Sequence, residues 1–233
     1  MDRFRNRRTH RTPSVKKVGW ALLLFLSEQA FAHQPVMDMA PRWEGGYGIQ
    51  TRVERFDSRT TIWVEGVYTF RPSTRLTFKL PYVDNELGNV IIGVPLKKYT
   101  NRGAFTSNWS VTPSVQFPTG NDGDWDVGVS IAYSASTPSS YRLFDLYAWD
   151  NRVGLDINLG IHPLHNNATN SGLFAIWDVS LLASSDGDRI QTGPVLMYYR
   201  QNVMARIEYK ALVYERDSNW SGGYVGIGIG AVF

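Results

Sequence analysis

The sequence predicts an all-β protein, an antiparallel transmembrane β-barrel of about 12 strands. Three observations predict it. Apolar residues recur at every second position in one segment after another. No segment beyond the first 32 residues approaches the roughly 18 to 20 consecutive apolar residues that a membrane-spanning helix needs. Most alternating segments are instead near the roughly 9 to 11 residues a tilted strand needs to cross a bilayer, whereas ordinary strands run to only about five or six.

Composition agrees with this class. The chain has 233 residues, 13% of them aromatic, with 21 glycines and no cysteine, so neither a disulfide framework nor a thiolate nucleophile is available. Its formal charge of +3 comes from 24 Lys and Arg against 21 Asp and Glu. Seven of those bases, but only Asp2 and Glu28 among the acids, precede His33, which leaves 17 bases and 19 acids behind them, a balance of −2. The basicity belongs to the leader, and with it goes any case for a nucleic-acid partner.

That leader reads RFRNRRTHRTPSVKK and then VGWALLLFLSEQAFA, with an apolar core from Val18 to Leu26 and an Ala30-Phe31-Ala32 cleavage site. Cations, a short apolar stretch and small residues at the end make a secretory signal over residues 1 to 32. The mature chain is expected to open with a periplasmic segment, 33 to 46, followed by a barrel over 47 to 233.

The strands are expected at about 47 to 56, 60 to 70, 75 to 83, 89 to 99, 107 to 117, 124 to 135, 140 to 149, 152 to 162, 173 to 184, 189 to 200, 203 to 215 and 223 to 233. In the first, Tyr47, Ile49, Thr51 and Val53 alternate with Gly48, Gln50, Arg52 and Glu54. In the third, Leu76, Phe78, Leu80 and Tyr82 alternate with Arg75, Thr77, Lys79 and Pro81. Val153, Leu155, Ile157, Leu159 and Ile161 oppose Arg152, Asp156 and Asn158, and Val203, Ala205, Ile207, Tyr209 and Ala211 oppose Arg206, Glu208 and Lys210. In the last, GGYVGIGIGAVF, one face is oily and the other nearly bare glycine.

RPST, STPSS and QN read as short periplasmic turns, with FDSRT, DNELGN, TGNDGD, SSDGDR and RDSNWSGG as outer loops. HPLHNNATNSG, 162 to 172, would be a long periplasmic turn. Trp43, Tyr47, Trp109, Trp125, Tyr141, Trp149, Tyr198, Tyr199, Tyr214 and Phe233 fall near strand ends, as interfacial girdles would have them. A final strand ending in Phe233 looks like the signal that engages the barrel assembly machinery. The other expected partners are outer-membrane lipid and lipopolysaccharide and a small-molecule solute.

APRWEGGYGIQTRVE (40 to 54), LPYV (80 to 83) and VTPSVQFPTG (111 to 120) resemble the outer-membrane transporter family of the MetA-pathway of phenol degradation type. The resemblance implies a twelve-stranded barrel that passes small molecules, hydrophobic or aromatic ones among them.

Ionisable residues in the inward series are the candidate functional groups, because a charge facing lipid near the midplane costs about 2 to 4 kcal/mol. Arg52, Glu54, Glu65, Lys79, Asp156, Asp178, Arg206, Glu208 and Lys210 are therefore expected to line the lumen. Such a mix of signs either lines an aqueous path or pairs across a narrow lumen and plugs it.

Other motifs carry less. His33, Met37 and Met39 hold copper-binding atoms but read more simply as an N-terminal segment. His162 and His165 flank Pro163 and read as turn residues, as do the Asp-Gly pairs of NDGD and SDGD. GIGIG lies in a strand with no helix after it and is no phosphate loop. No GxSxG motif is present, so neither a catalytic set nor a cofactor is expected. The reading is an outer-membrane channel or facilitator, with a structural or adhesion barrel as the alternative and an outer-membrane hydrolase a distant third.

Overall fold

A computed structural model of the chain describes residues 45 to 56, 59 to 102, 106 to 120, 124 to 166, 168 to 185, 187 to 216 and 222 to 233. Every regular element in it is a strand. The staves are β1 (Tyr47–Arg55), β2 (Thr60–Arg71), β3 (Thr74–Val83), β4 in three pieces (Glu86–Leu87, Val90–Gly93 and Leu96–Arg102), β5 (Thr106–Phe117) and β6 (Asp126–Ser136). They continue as β7 (Ser140–Trp149), β8 (Arg152–Asn166), β9 (Ser171–Ser184), β10 (Gly187–Arg200), β11 (Val203–Arg216) and β12 (Tyr224–Val232). Each pairs antiparallel with its neighbours in sequence, and β12 returns to β1 in register from Gly48 opposite Val232 to Arg55 opposite Val225. This is a closed twelve-stave antiparallel barrel.

Closure is finished by a pair of aromatic residues. Phe233 and Tyr47 exchange backbone hydrogen bonds of 2.7 and 2.9 Å, and their rings stack with centroids 5.0 Å apart. The irregular stave, β4, keeps its ladder by borrowing. Pro95 has no N–H but accepts from the Arg75 N–H at 3.1 Å, Val94 donates to the Pro113 carbonyl at 3.0 Å, and the Val90 N–H finds the Thr119 hydroxyl at 2.9 Å.

Side-chain alternation sorts the wall into two faces. Ile49, Val53, Val127, Ile131, Leu159, Trp177, Ile207, Ile227 and Ile229 point outward and are exposed, forming a continuous apolar exterior that water does not tolerate on a closed sheet. Outward Arg55, Arg142 and Arg200 lie near strand ends, where a long side chain reaches the interface.

Three expectations need correction. The segment 162 to 172 is not a long turn: β8 and β9 keep pairing as far as Asn166 opposite Ser171, with a register shift between Ile161 and Leu164 that accommodates the missing N–H of Pro163. DNELGN is not an open loop. Asp84 and Asn85 both have positive φ, 47° and 76°, the signature of a two-residue hairpin turn, and Glu86–Leu87 already pairs with Tyr82 and Val83. Tyr141, Trp149 and Tyr199 do not belong to the girdle either. They point inward, as the adjacent pair Tyr198 (50% exposed) and Tyr199 (9%) shows most simply. Proximity to a strand end placed these rings by height, whereas parity places them by face. Trp43 lies outside the described residues, as does part of each remaining outer loop.

The two faces differ in what they tolerate. Ile207→Arg puts a cation on the lipid face and should destabilise the barrel by about 2 to 4 kcal/mol in a urea titration of vesicle-embedded protein. Arg206→Gln, one residue away but inside, should leave the folded barrel recoverable by its heat-modifiable gel mobility. Equal loss from both would mean that the faces are misassigned.

Candidate functional site in the barrel interior

Strand pairing lays inward residues in rows across the staves, and two rows carry most of the charge. Arg52 on β1 stands opposite Gly228 on β12, which stands opposite Arg206 on β11; one step along, Glu54, Gly226 and Glu208 make the parallel row. Like charges thus share a row with a glycine between them, and opposite charges meet on the diagonal. Arg52 Nη1 donates to Glu208 Oε1 at 3.0 Å across the bare strand, and it also pairs with Glu54 while Arg206 pairs with Glu208.

The glycines of β12 are what make this geometry possible. A Cβ on Gly226 would stand 2.5 Å from Glu208 Oε1, and one on Gly228 would stand 2.9 Å from Arg206 Cγ. The GIGIG pattern therefore has two faces with two duties: isoleucine for lipid, and empty space for the long charged side chains that lie over it.

The network continues around the wall. Trp63 Nε1 donates to Glu54 Oε2 at 3.0 Å, and the Arg52 guanidinium lies 5.9 Å from the Trp63 ring. Gln50 donates to Glu65, its direct cross-strand neighbour, whose Oε1 lies 3.7 Å from Lys79 Nζ. On the far side Lys210 pairs with Asp178, and Ser180 Oγ donates to Asp156 Oδ1 at 2.6 Å with a longer contact to Asp178 at 3.4 Å.

All nine residues expected inside thus have inward side chains. Arg52, Glu54, Arg206 and Glu208 form one cluster, Glu65 and Lys79 a pair beside it, and Asp156, Asp178 and Lys210 a third group. They are deeply covered, Glu65 being 1% exposed and Asp156 fully buried. Arg75, Lys97, Asp145, Arg152 and Arg189 are buried inside as well and were missing from the expected set. Parity alone locates Arg75 and Arg152, since they share the series of Lys79 and Asp156 respectively, whereas the strand of Asp145 carries a charge on each face, with Arg142 on the other. Lys97 was harder to place because Val94 and Pro95 interrupt its stave.

Apolar side chains also enter the interior. Tyr141, Leu143, Phe174, Ile176, Val195, Met197, Tyr199 and Met204 pack together toward the end of the barrel that carries Tyr47 and Phe233. Ile91, Tyr147, Trp149 and Leu182 form a second cluster toward the opposite end. Among the described residues no group of three or more His, Asp or Glu is arranged to hold a metal ion; His33, Met37 and Met39 lie outside them, and NDGD and SDGD do so in part.

A closed wall with an apolar exterior and a charged interior is a membrane-barrel scaffold, and known structures share it. The KdgM porin superposes with a TM-score of 0.59 at 12% identity, covering 80% of this chain and 99% of its own. The COG4313 outer membrane channel from Pseudomonas putida F1 gives 0.57 at 12% identity, covering 89% of this chain and all of the other. The NanC porin gives 0.55 at 14%, with 79% and 98% covered. The fold is that of outer-membrane porins. No family model matches the sequence, and no curated protein matches it.

The charged cluster should be coupled rather than additive. Arg52→Ala leaves Glu54 and Glu208 buried with half their compensation and should cost up to about 3 kcal/mol. Adding Glu208→Gln should recover part of that loss, measured as a double-mutant cycle on urea midpoints. Gly226→Val, whose side chain collides with Glu208, should lower the yield of heat-modifiable folded protein more than Gly226→Ala does. A Val that assembles as well as glycine would show that the cluster does not lie over β12.

Proposed function

We propose that this protein is an outer-membrane channel for small solutes, made without cofactor or covalent chemistry. The single observation that carries the proposal is the interior itself. A barrel built only to hold a membrane gains nothing from burying Arg52, Glu54, Arg206 and Glu208 in one cluster, since an apolar filling of similar volume is as stable or more so. Charged groups of both signs along a lumen provide a path on which a solute exchanges water for protein contacts and selection follows its own charge and size. Twelve staves also lie between eight-stranded barrels, which side chains fill, and barrels of 16 or more, which enclose wide aqueous channels.

Arg52, Glu54, Glu65, Lys79, Asp156, Asp178, Arg206, Glu208 and Lys210 are the proposed lining. Residues 1 to 32 are the proposed export signal and 33 to 46 a periplasmic segment; β12 with Phe233 is the proposed contact for the assembly machinery, and lipopolysaccharide surrounds the outer rim. The KdgM porin has been solved with disordered oligogalacturonate, an acidic sugar chain. The resemblance to the MetA-pathway family points instead toward hydrophobic or aromatic solutes, and the inward Tyr141, Phe174, Tyr147 and Trp149 support that choice. The second reading, a sealed structural barrel, draws support from the density of ion pairs across the interior.

Solute-dependent swelling of liposomes containing refolded residues 33 to 233 separates the readings. A small aromatic acid and an amino acid should swell the vesicles, at rates that differ between them. Protein that is folded yet passes neither solute would count for the sealed barrel, and ester or lipid cleavage in the same vesicles for a hydrolase.

A further inference from the structure

Ile91 and Ile92 are adjacent on β4 and serve opposite faces. Ile92 stands opposite Phe78 and Val115 on the lipid side, whereas Ile91 stands opposite Lys79 and Gln116 on the inner side. Ile91 is 6% exposed and belongs to the buried cluster with Tyr147, Trp149 and Leu182. These residues come from β4, β7 and β9. With β5 and β6 between them, β4 and β7 are separated by on the order of 14 Å around the wall, three strand spacings. Short side chains on adjacent staves do not bridge that distance, so the cluster needs large side chains that reach across the inner face of the staves between.

Two glycines decide how far the aromatic rings project. Gly128 stands directly opposite Trp149, and the indole covers it so closely that a Cβ there would lie 2.4 Å from Trp149 Cδ2. Gly154 stands opposite Tyr147, and a Cβ there would lie 2.2 Å from Tyr147 Cζ. From the other side Arg152, 3.6 Å from Asp126, lies 5.1 Å above the Trp149 ring. The rings are thus seated in slots that only glycine leaves open, with Ile91 and Leu182 closing on them.

We propose that Ile91, Tyr147, Trp149 and Leu182 form the constriction of the channel, an apolar narrowing near the end remote from Phe233, and that Gly128 sets its width by seating Trp149 against the wall. This rests on the channel reading. An apolar narrowing sheds water, so it opposes ions and sugars that must give up hydration to pass and favours solutes with an apolar body. Selection at this level is by hydration, while selection by charge belongs to the cluster over β12.

The test uses single-channel conductance and vesicle swelling of the whole mature protein and four variants, each first shown to be folded by heat-modifiable mobility. Ile91→Ala and Leu182→Ala should each raise conductance by about twofold or more and speed the entry of sugars more than that of a small aromatic acid. Ile92→Ala removes the same atoms from the lipid face and should leave conductance unchanged. Gly128→Ala should displace Trp149 toward the axis and lower it. Flux through the wild type that neither Ile91→Ala nor Leu182→Ala alters would overturn the constriction and leave the channel standing. No flux through the wild type or any variant would overturn the channel reading itself, whereas flux appearing only in Ile91→Ala or Leu182→Ala would support the constriction as a closed one.

Discussion

The rest of the structure depends on one constraint: inside a bilayer no water is available to satisfy a peptide group. An open sheet would present two rows of unpaired N–H and C=O groups to hydrocarbon at several kcal/mol each, so the sheet must close. Here closure means β12 against β1, sealed by the Tyr47 and Phe233 pair. Even the broken stave obeys the rule. Where Pro95 and Pro113 remove donors from β4 and β5, their own carbonyls and the Thr119 hydroxyl take up neighbouring N–H groups.

Closure then turns a two-residue period into an inside and an outside. Outside, the chemistry is simple, because any large apolar residue is acceptable to lipid and scattered packing suffices. Inside, long charged side chains from different staves have to share a small cross-section, and that requires vacancies as much as contacts. Glycine supplies them at three places by the same means. Gly226 and Gly228 leave room for the Arg and Glu rows, Gly128 for Trp149, and Gly154 for Tyr147. A strand interior is a poor place for glycine on propensity grounds. Its use here is explained by what lies on top of it.

The same geometry layers the interior. Apolar clusters lie toward each end, and the ionic groups lie between them and around the wall from β1 to β3. A buried charge is tolerable when it is paired and hydrogen-bonded, and three of the pairs here join different staves: Arg52 with Glu208, Glu65 with Lys79, Lys210 with Asp178. The ion pairs thereby cross-brace the wall that the backbone ladder closes.

Strand number, antiparallel order and the face of nearly every residue were determined by the sequence alone, since parity within a strand is a local property that no distant contact can alter. The nine charged residues expected inside have the inward parity, and Arg75 and Arg152 share it with Lys79 and Asp156. Only the tertiary structure decided which of them meet. Arg52 and Glu208 are 156 positions apart and come together because β12 lies between their staves and turns only Gly226 and Gly228 inward at that level. It also decided that Tyr141, Trp149 and Tyr199 line the interior rather than the girdle, and that the stretch after His162 remains strand. Register across a closed sheet depends on every turn and bulge around the ring, and that sum is not written in any one segment.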